Sequence, residues 1–379
     1  MYALPDGIRS RRVDGINGLS MHVLESGDKG RPMLLLLHGF PELAYSWRKV
    51  MPALANAGYY VVAPDQRGYG LTTGWDASYD GDLAPFRLLN LVRDALGLVH
   101  ALGYRKVAGL VGHDFGAPVA SWCALVRPDV FPCVAIMSSP FPGAPALPFD
   151  TAEGAAPPPA GFFGAIPHEA MAKLARPRKH YQWYYSERAA DADMRLCPQG
   201  IHDFLRAYYH VKSADWSANK PFELSGWTAD EFAKIPTYYI MDLAKTMAET
   251  VAPDMPPKAE IAACKWLPDD ELAVYAGEFA RTTFQGGLQW YRCATSPRFA
   301  PEMQLFGGRT LDVPSVFIAG ASDWGPFQKP GDLKKMRTTA CTRMEAVHLV
   351  PGAGHWVQQE QPAAVTGLLL DFLKRHATP

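Results

Sequence analysis

The sequence predicts an α/β protein with a mostly parallel, doubly wound sheet, interrupted by a long helical insertion. Three observations predict it. Short apolar runs at 33–37, 59–63, 107–111 and 133–137 alternate with longer segments of helical periodicity. That rhythm breaks at Ser138 and returns only at 313–319 and 344–350. Between Val107 and Ala117 the chain reads Val-Ala-Gly-Leu-Val-Gly-His-Asp-Phe-Gly-Ala, an apolar run, a glycine-flanked turn and the start of an apolar helix.

Composition narrows the functional classes. Of the 379 residues, 48% are hydrophobic and 20% charged, enough to build a sizeable core. The formal net charge of −1 offers no field for nucleic acid or anionic lipid, so neither is expected as a partner. Cys123, Cys133, Cys197, Cys264, Cys293 and Cys341 lack paired spacing and read as reduced packing residues, not a disulfide frame or a zinc site. Residues 1–12 hold no apolar signal core, and no run reaches the roughly 18 apolar residues of a membrane span. A soluble cytoplasmic protein is the expectation.

Taken in order, residues 19–24 alternate weakly and suit an antiparallel edge strand, and 33–37 suits a central parallel one. The latter ends in His38-Gly39-Phe40-Pro41-Glu42, a turn at a strand's carboxyl end where backbone N–H groups face a ligand. Residues 45–57 read as a helix closed by Gly58, and 59–63 as the next buried strand. Leu88, Leu91, Val92, Ala95, Leu96 and Val99 repeat at helical spacing, with Gly103 as the stop. A helix over 117–126 follows the glycine-flanked turn, and 133–137 is one more strand. Residues 144–164 are rich in Pro, Ala and Gly and read as a loop or linker. The region 141–306 is aromatic-rich and helical where it is periodic, with Leu272, Tyr275, Ala276 and Phe279 on one face. Val365, Leu368, Leu369, Phe372 and Leu373 mark a closing amphipathic helix.

The chemistry gathers at strand ends. Asp114 stands between Gly112 and Gly116, the spacing of a nucleophile elbow, with a carboxylate where serine is usual. Asp also tolerates the positive φ of such a turn. A blander reading is an ordinary βα loop in which Asp114 caps the helix. Asp323 follows the 313–319 strand, and His355, in Gly-Ala-Gly-His-Trp, follows the last one. Alone, each is a common turn or loop residue. A parallel sheet opens all these carboxyl ends on one edge, and the order Asp114, Asp323, His355 is that of nucleophile, acid and base.

These motifs resemble the α/β-hydrolase family and, within it, the epoxide hydrolases. The resemblance runs over nearly the whole chain and is loosest at 144–177. It is carried by His38-Gly39-Phe40-Pro41, Gly112-His113-Asp114-Phe115-Gly116, Asp323 and Gly354-His355-Trp356. Two further segments, His180-Tyr181-Gln182-Trp183-Tyr184-Tyr185 and Gly287-Leu288-Gln289-Trp290-Tyr291-Arg292, look like those that carry the family's ring-opening tyrosines, on Tyr181 and Tyr291. Sixteen tyrosines occur in the chain, most of them packing residues, and only local context lifts these two, Tyr181 ahead of Tyr184 and Tyr185.

The resemblance implies an α/β-hydrolase fold with a core of residues 1–140 and 307–379 and a helical lid of 141–306, inserted after the strand that follows the elbow. It implies a cis peptide at Phe40-Pro41. It also implies a covalent route from a small apolar epoxide and water to a vicinal diol, with neither cofactor nor metal. A carboxylate is already charged at neutral pH and suits displacement at saturated carbon, leaving an alkyl ester on Asp114. His355, oriented by Asp323, would then activate water against that ester. Backbone N–H groups of Phe40 and Phe115 would hold the oxyanion, and Tyr181 and Tyr291 would protonate the departing alkoxide. The aromatic content of the lid suggests an apolar pocket. Oligomeric state stays open.

Three rivals remain. Haloalkane dehalogenases share the carboxylate and histidine, but place tryptophan after the nucleophile, where this chain has Phe115. Haloacetate-cleaving relatives place arginine there. Many dehalogenases also take the triad acid from the loop corresponding to 138–143, which holds no carboxylate here. An esterase would have to pass through a mixed anhydride on Asp114. A silent ligand-binding protein on the same fold would keep the pocket without turnover.

Overall fold

The computed structural model describes residues 4–145 and 166–376. Its main sheet has eight strands: β1 (Ile8–Ile16), β2 (Leu19–Ser26), β3 (Met33–Leu37), β4 (Tyr60–Pro64), β5 (Gly109–His113), β6 (Val134–Met137), β9 (Ser315–Gly320) and β10 (Met344–Val350). Their spatial order is β1-β2-β4-β3-β5-β6-β9-β10. The pairs β1–β2 and β2–β4 are antiparallel, and every pair from β4 onward is parallel. Strands β3, β4, β5, β6 and β9 are buried throughout, which is why they read as unbroken apolar runs.

Three expectations change. Strand β2 is antiparallel but not at the edge, because β1 lies outside it. Strand β1 buries only Ile8, Val13 and Ile16, and its Arg9, Arg11 and Arg12 hide the two-residue period. Such charge suits an edge strand that must not pair with a neighbouring molecule. The helix expected over 45–57 divides into a tight turn, Ala44–Trp47, and α1 (Met51–Asn56). Pro52 explains the break, since its ring would clash with the Arg48 carbonyl in a continuous helix. The 107–111 strand is displaced to Gly109–His113, where Gly112 pairs with both Leu37 and Ile136 and His113 pairs with Met137.

The remaining elements follow the expected pattern. Helices α2 (Leu88–Ala101) and α3 (Gly116–Val126) flank β5 in sequence, and a closing helix, Pro362–His376, buries Val365, Leu369, Phe372 and Leu373. Leu368 is half-buried. Five of the six cysteines are buried packing residues and Cys264 is half-buried. No described helix is long and apolar enough to cross a membrane.

Between β6 and β9 the described chain is mainly helical. The Asp269–Thr282 helix buries Leu272, Tyr275, Ala276 and Phe279, the face its periodicity predicts. A two-stranded antiparallel ribbon, β7 (Arg178–His180) with β8 (Ile240–Asp242), was not legible, because three-residue strands carry no period. The expected 144–164 loop lies, beyond Pro145, outside the described residues. The insertion is fastened to the carboxyl edge of the sheet. Tyr209 donates its hydroxyl to the Pro41 carbonyl at 2.9 Å, and Trp290 donates its indole N–H to the Arg67 carbonyl at 2.9 Å.

Candidate active site

The turn after β5 is built by close approach. A Cβ on Gly112 would collide with the Gly116 carbonyl, and one on Gly116 with the Leu37 carbonyl, so strand and helix meet only with glycine at both places. Between them Asp114 takes φ +52°, a left-handed conformation that short polar side chains tolerate. Its backbone N–H is held by the Met137 carbonyl at 3.2 Å. Phe115, not Asp114, caps α3, and the cap has no side-chain hydrogen bond. The simple capping reading of Asp114 is thereby excluded.

Both carboxylate oxygens of Asp114 are engaged. The Phe40 N–H donates to Oδ1 at 2.9 Å, from a turn whose Phe40-Pro41 peptide is cis. His355 Nε2 lies 3.2 Å from Oδ2, and His355 Nδ1 lies 3.1 Å from Asp323 Oδ1. The Gly325 N–H donates to that same Asp323 oxygen at 2.7 Å. Three loops that follow β5, β9 and β10 thus bring Asp114, Asp323 and His355 together. Asp114 keeps 12% of its side chain exposed, against 3% for His355 and 1% for Asp323, so its carboxylate alone of the three faces the neighbouring pocket.

Electrostatics follow from this packing. Burial would raise Asp114, but the His355 hydrogen bond and charge, with Lys212 and His113, hold its carboxyl far below the usual range. Burial would lower His355. The Asp323 charge and the hydrogen bonds to Asp114 and Asp323 outweigh that, against an opposing Lys212, and push the imidazole up to about 9. The resting pair is therefore a carboxylate beside an imidazolium at neutral pH.

The pocket is lined by Asp114, Phe115, Tyr181, Tyr291, Gln182 and Gln328 among others. Tyr181 opens a short helix, Tyr181–Tyr184, directly after β7, and its backbone N–H is held by the Tyr239 carbonyl at 2.9 Å. Tyr291 lies on the Gln285–Thr295 helix, and the two tyrosine rings are 6.2 Å apart. The Tyr291 ring meets Phe115 at 5.2 Å and Phe40 at 5.5 Å. Burial, then the Asp114 charge, raises both phenols well above their ordinary value, so both hold their protons. Tyr184 bonds away to Asp193 at 3.1 Å and Tyr185 to Tyr208 at 3.2 Å, which leaves Tyr181 as the tyrosine of that segment lining the pocket. The lining is mixed, not simply apolar, since Gln182, Gln328, Lys329 and Asp332 share it with aromatic and proline walls.

Several residues around the site have no role assigned from the sequence. His113 donates Nε2–H to the His355 carbonyl at 2.7 Å, and its Nδ1 lies 2.6 Å from Glu42 Oε2. Ser138 donates to the same carbonyl at 3.2 Å, and the His355 N–H is held by the Lys212 carbonyl at 2.8 Å. Glu42 and His113 stand inside the two quoted motifs, so their place beside functional turns was the available signal. Lys212 had none.

The chain is similar to known proteins over nearly its whole length. Residues 32–362 match the family described as alpha/beta hydrolase fold. The chain is 33% identical over 368 residues to epoxide hydrolase A of Mycobacterium tuberculosis, covering 97% of this chain and 98% of that protein. It is 30% identical over 371 residues to epoxide hydrolase B of the same organism, at 96% and 97% coverage. Among solved structures it resembles an epoxide hydrolase from an endophytic Streptomyces, with TM-score 0.75, 30% identity and coverage of 97% and 96%. It also resembles epoxide hydrolase A from Mycobacterium thermoresistibile, with TM-score 0.72, 31% identity and coverage of 97% and 98%.

Proposed function

The chain belongs to the alpha/beta hydrolase family and, within it, to the epoxide hydrolases, and from that premise we propose that it hydrolyses an epoxide to a vicinal diol through an alkyl ester on Asp114. The insertion then serves as a lid, residues 141–306, over a core of 1–140 and 307–379. The observation that carries the reading is the division of labour at Asp114, with Oδ1 on the Phe40 N–H and Oδ2 beside His355, facing two buried phenols.

In the first step Asp114 Oδ2 attacks an epoxide carbon in line with the breaking C–O bond. The alkoxide that departs takes a proton from Tyr181 or Tyr291, leaving a phenolate. General-acid help of this kind contributes roughly 10²–10⁴. Esterification removes the Asp114 charge, and with it one support of the imidazolium, so His355 can give up its proton, through solvent, to the phenolate. The neutral imidazole takes a proton from water, and the hydroxide oxygen bonds to the Asp114 carbonyl carbon. The charge that develops on Oδ1 meets the Phe40 N–H, with that of Phe115 as the second donor. Losing one such donor typically costs on the order of 10²–10³ in rate. The tetrahedral adduct collapses as its hydroxyl proton passes to the departing oxygen, and the diol leaves with the former Oδ2, which restores the resting carboxylate and imidazolium. Asp323 holds the imidazole and stabilises its charged form throughout.

A single turnover of styrene oxide in ¹⁸O-labelled water tests this. The first diol should carry unlabelled oxygen from Asp114, and label should appear in the protein carboxylate. His355→Gln should accumulate an adduct mass on Asp114, and Asp114→Ala should form neither adduct nor diol. Full label in the first diol, or chloride release from a chloroalkane without diol formation from an epoxide, would replace the proposal.

A further inference from the structure

Among the buried charged side chains that the mechanism above leaves unused, one stands beside the catalytic loop. Lys212 ends the Gly200–Lys212 helix of the insertion and is only 2% exposed. Its ammonium faces five aromatic rings, at 4.6 Å from Tyr239, 4.9 Å from Tyr208, 5.7 Å from Tyr181 and Trp356, and 6.0 Å from Tyr238. Rings at such distances attract a cation through their negative faces and supply part of what water would. Burying a lone ammonium is costly all the same. The residue therefore sits where a cation is used for its field.

The cage stands against the catalytic loop. The Lys212 carbonyl accepts the His355 N–H at 2.8 Å, and a Cβ on Gly354 would press on that same carbonyl. Trp356, one wall of the cage, has its ring 4.7 Å from the His355 ring. Asp323, which lies 3.1 Å from His355 Nδ1 through its Oδ1, has its Oδ2 buried without a hydrogen-bond partner among the described residues. The charged and titratable groups around the imidazole are thus Asp323 after β9, Asp114 after β5, the His113 ring at 5.1 Å with Glu42 behind it, Glu360, which accepts the Gly354 and Trp356 N–H groups, and the caged Lys212 of the insertion. The groups facing the ammonium are the four tyrosines and Trp356.

We propose that Lys212 is a positioning residue whose caged ammonium, set against the catalytic loop, offsets the Asp323 carboxylate, so that the imidazole releases its proton once Asp114 is esterified. This rests on the diol-forming reading given above. Before esterification two carboxylates flank the imidazolium and hold its proton. Afterwards only Asp323 remains next to it, and the nearby cation cancels much of that charge. Base formation is thereby tied to the alkyl-enzyme, the one stage at which a base is needed. The opposing direction of the Lys212 influence on His355 agrees with this placement.

The test is the titration of the His355 imidazole by NMR in the free enzyme, comparing wild type with Lys212→Met, which keeps the length and suits an aromatic cage. The midpoint should rise by about one pH unit, the shift a nearby charge commonly gives. Breakdown of the alkyl-enzyme should slow several-fold at pH 7 and recover at higher pH, and Lys212→Arg should titrate near wild type. Lys212→Gln repeats the comparison should the methionine variant not fold. A midpoint that superimposes on wild type in the neutral variants overturns the proposal, as does an arginine variant displaced as far as the methionine one. The titration needs no epoxide. A wild type that makes no diol while the midpoint still moves removes the assigned reaction and leaves the charge balance standing.

Discussion

The two walls of the pocket are held by different means. On the sheet side Asp114, Asp323 and His355 each follow a strand and are fixed by backbone hydrogen bonds and by glycines that admit no side chain. On the insertion side Tyr181 and Tyr291 are fixed by ring contacts with Phe40, Phe115, Tyr185 and Tyr239. A backbone-built position has no freedom to adjust, whereas a packed ring adapts when a neighbour changes. Small changes on the sheet side should therefore cost more than larger ones on the insertion side.

The largest effect is expected at Gly39. A Cβ there would strike the Asp114 carboxylate itself. Gly39→Ala should displace Asp114 from the Phe40 N–H and slow breakdown of the alkyl ester on the order of 10³, the upper end for a lost oxyanion donor. Single-turnover decay of the adduct measures it, with circular dichroism to verify the fold. A near-wild-type rate would erase the proposed contrast between the walls. Next comes the pair Tyr181→Phe with Tyr291→Phe, which removes two hydroxyls and keeps the rings. Ring opening should slow by roughly 10², the lower end of what general-acid help contributes, while breakdown of preformed ester is unchanged. Equal slowing of both half-reactions would show that the tyrosines shape the sheet side as well.

The smallest effect concerns pH. His355 stands at about 9 in the folded chain, above the roughly 6.5 of an unfolded histidine. A raised folded value stabilises the protein fully below the unfolded value, and that contribution is lost as pH rises through about 9. Asp114→Asn removes one carboxylate from the imidazolium, so His355 should titrate lower. Denaturant midpoints at pH 6 and pH 9.5 should then differ less in the variant than in wild type. An unchanged difference would place the His355 proton in the keeping of Asp323 alone.

The same contrast governs what the sequence makes legible. The buried strands advertise themselves as apolar runs, and the turn at Asp114 shows itself through Gly112 and Gly116, because close approach leaves only one residue type. Tyr181 and Tyr291 were found through local context, since a packed ring leaves no such mark. Strand β1 was concealed by its arginines, and the break before α1 follows from Pro52, a signal present but overlooked. Lys212 was beyond reach altogether. A lysine in the last turn of an amphipathic helix ordinarily meets solvent and the helix dipole, and here its surroundings come from Tyr181, Tyr238, Tyr239 and Trp356, far away in the chain.

The bond from the His355 N–H to the Lys212 carbonyl bears on how such enzymes can be recombined. A graft that kept this core and borrowed the intervening helices from a cousin would leave the imidazole leaning on a foreign helix end. Crossovers meant to change substrate preference are safer when the donor brings its Gly-His-Trp loop along with the helix that supports it. What looks like an exchangeable cover is, at that one hydrogen bond, part of the foundation.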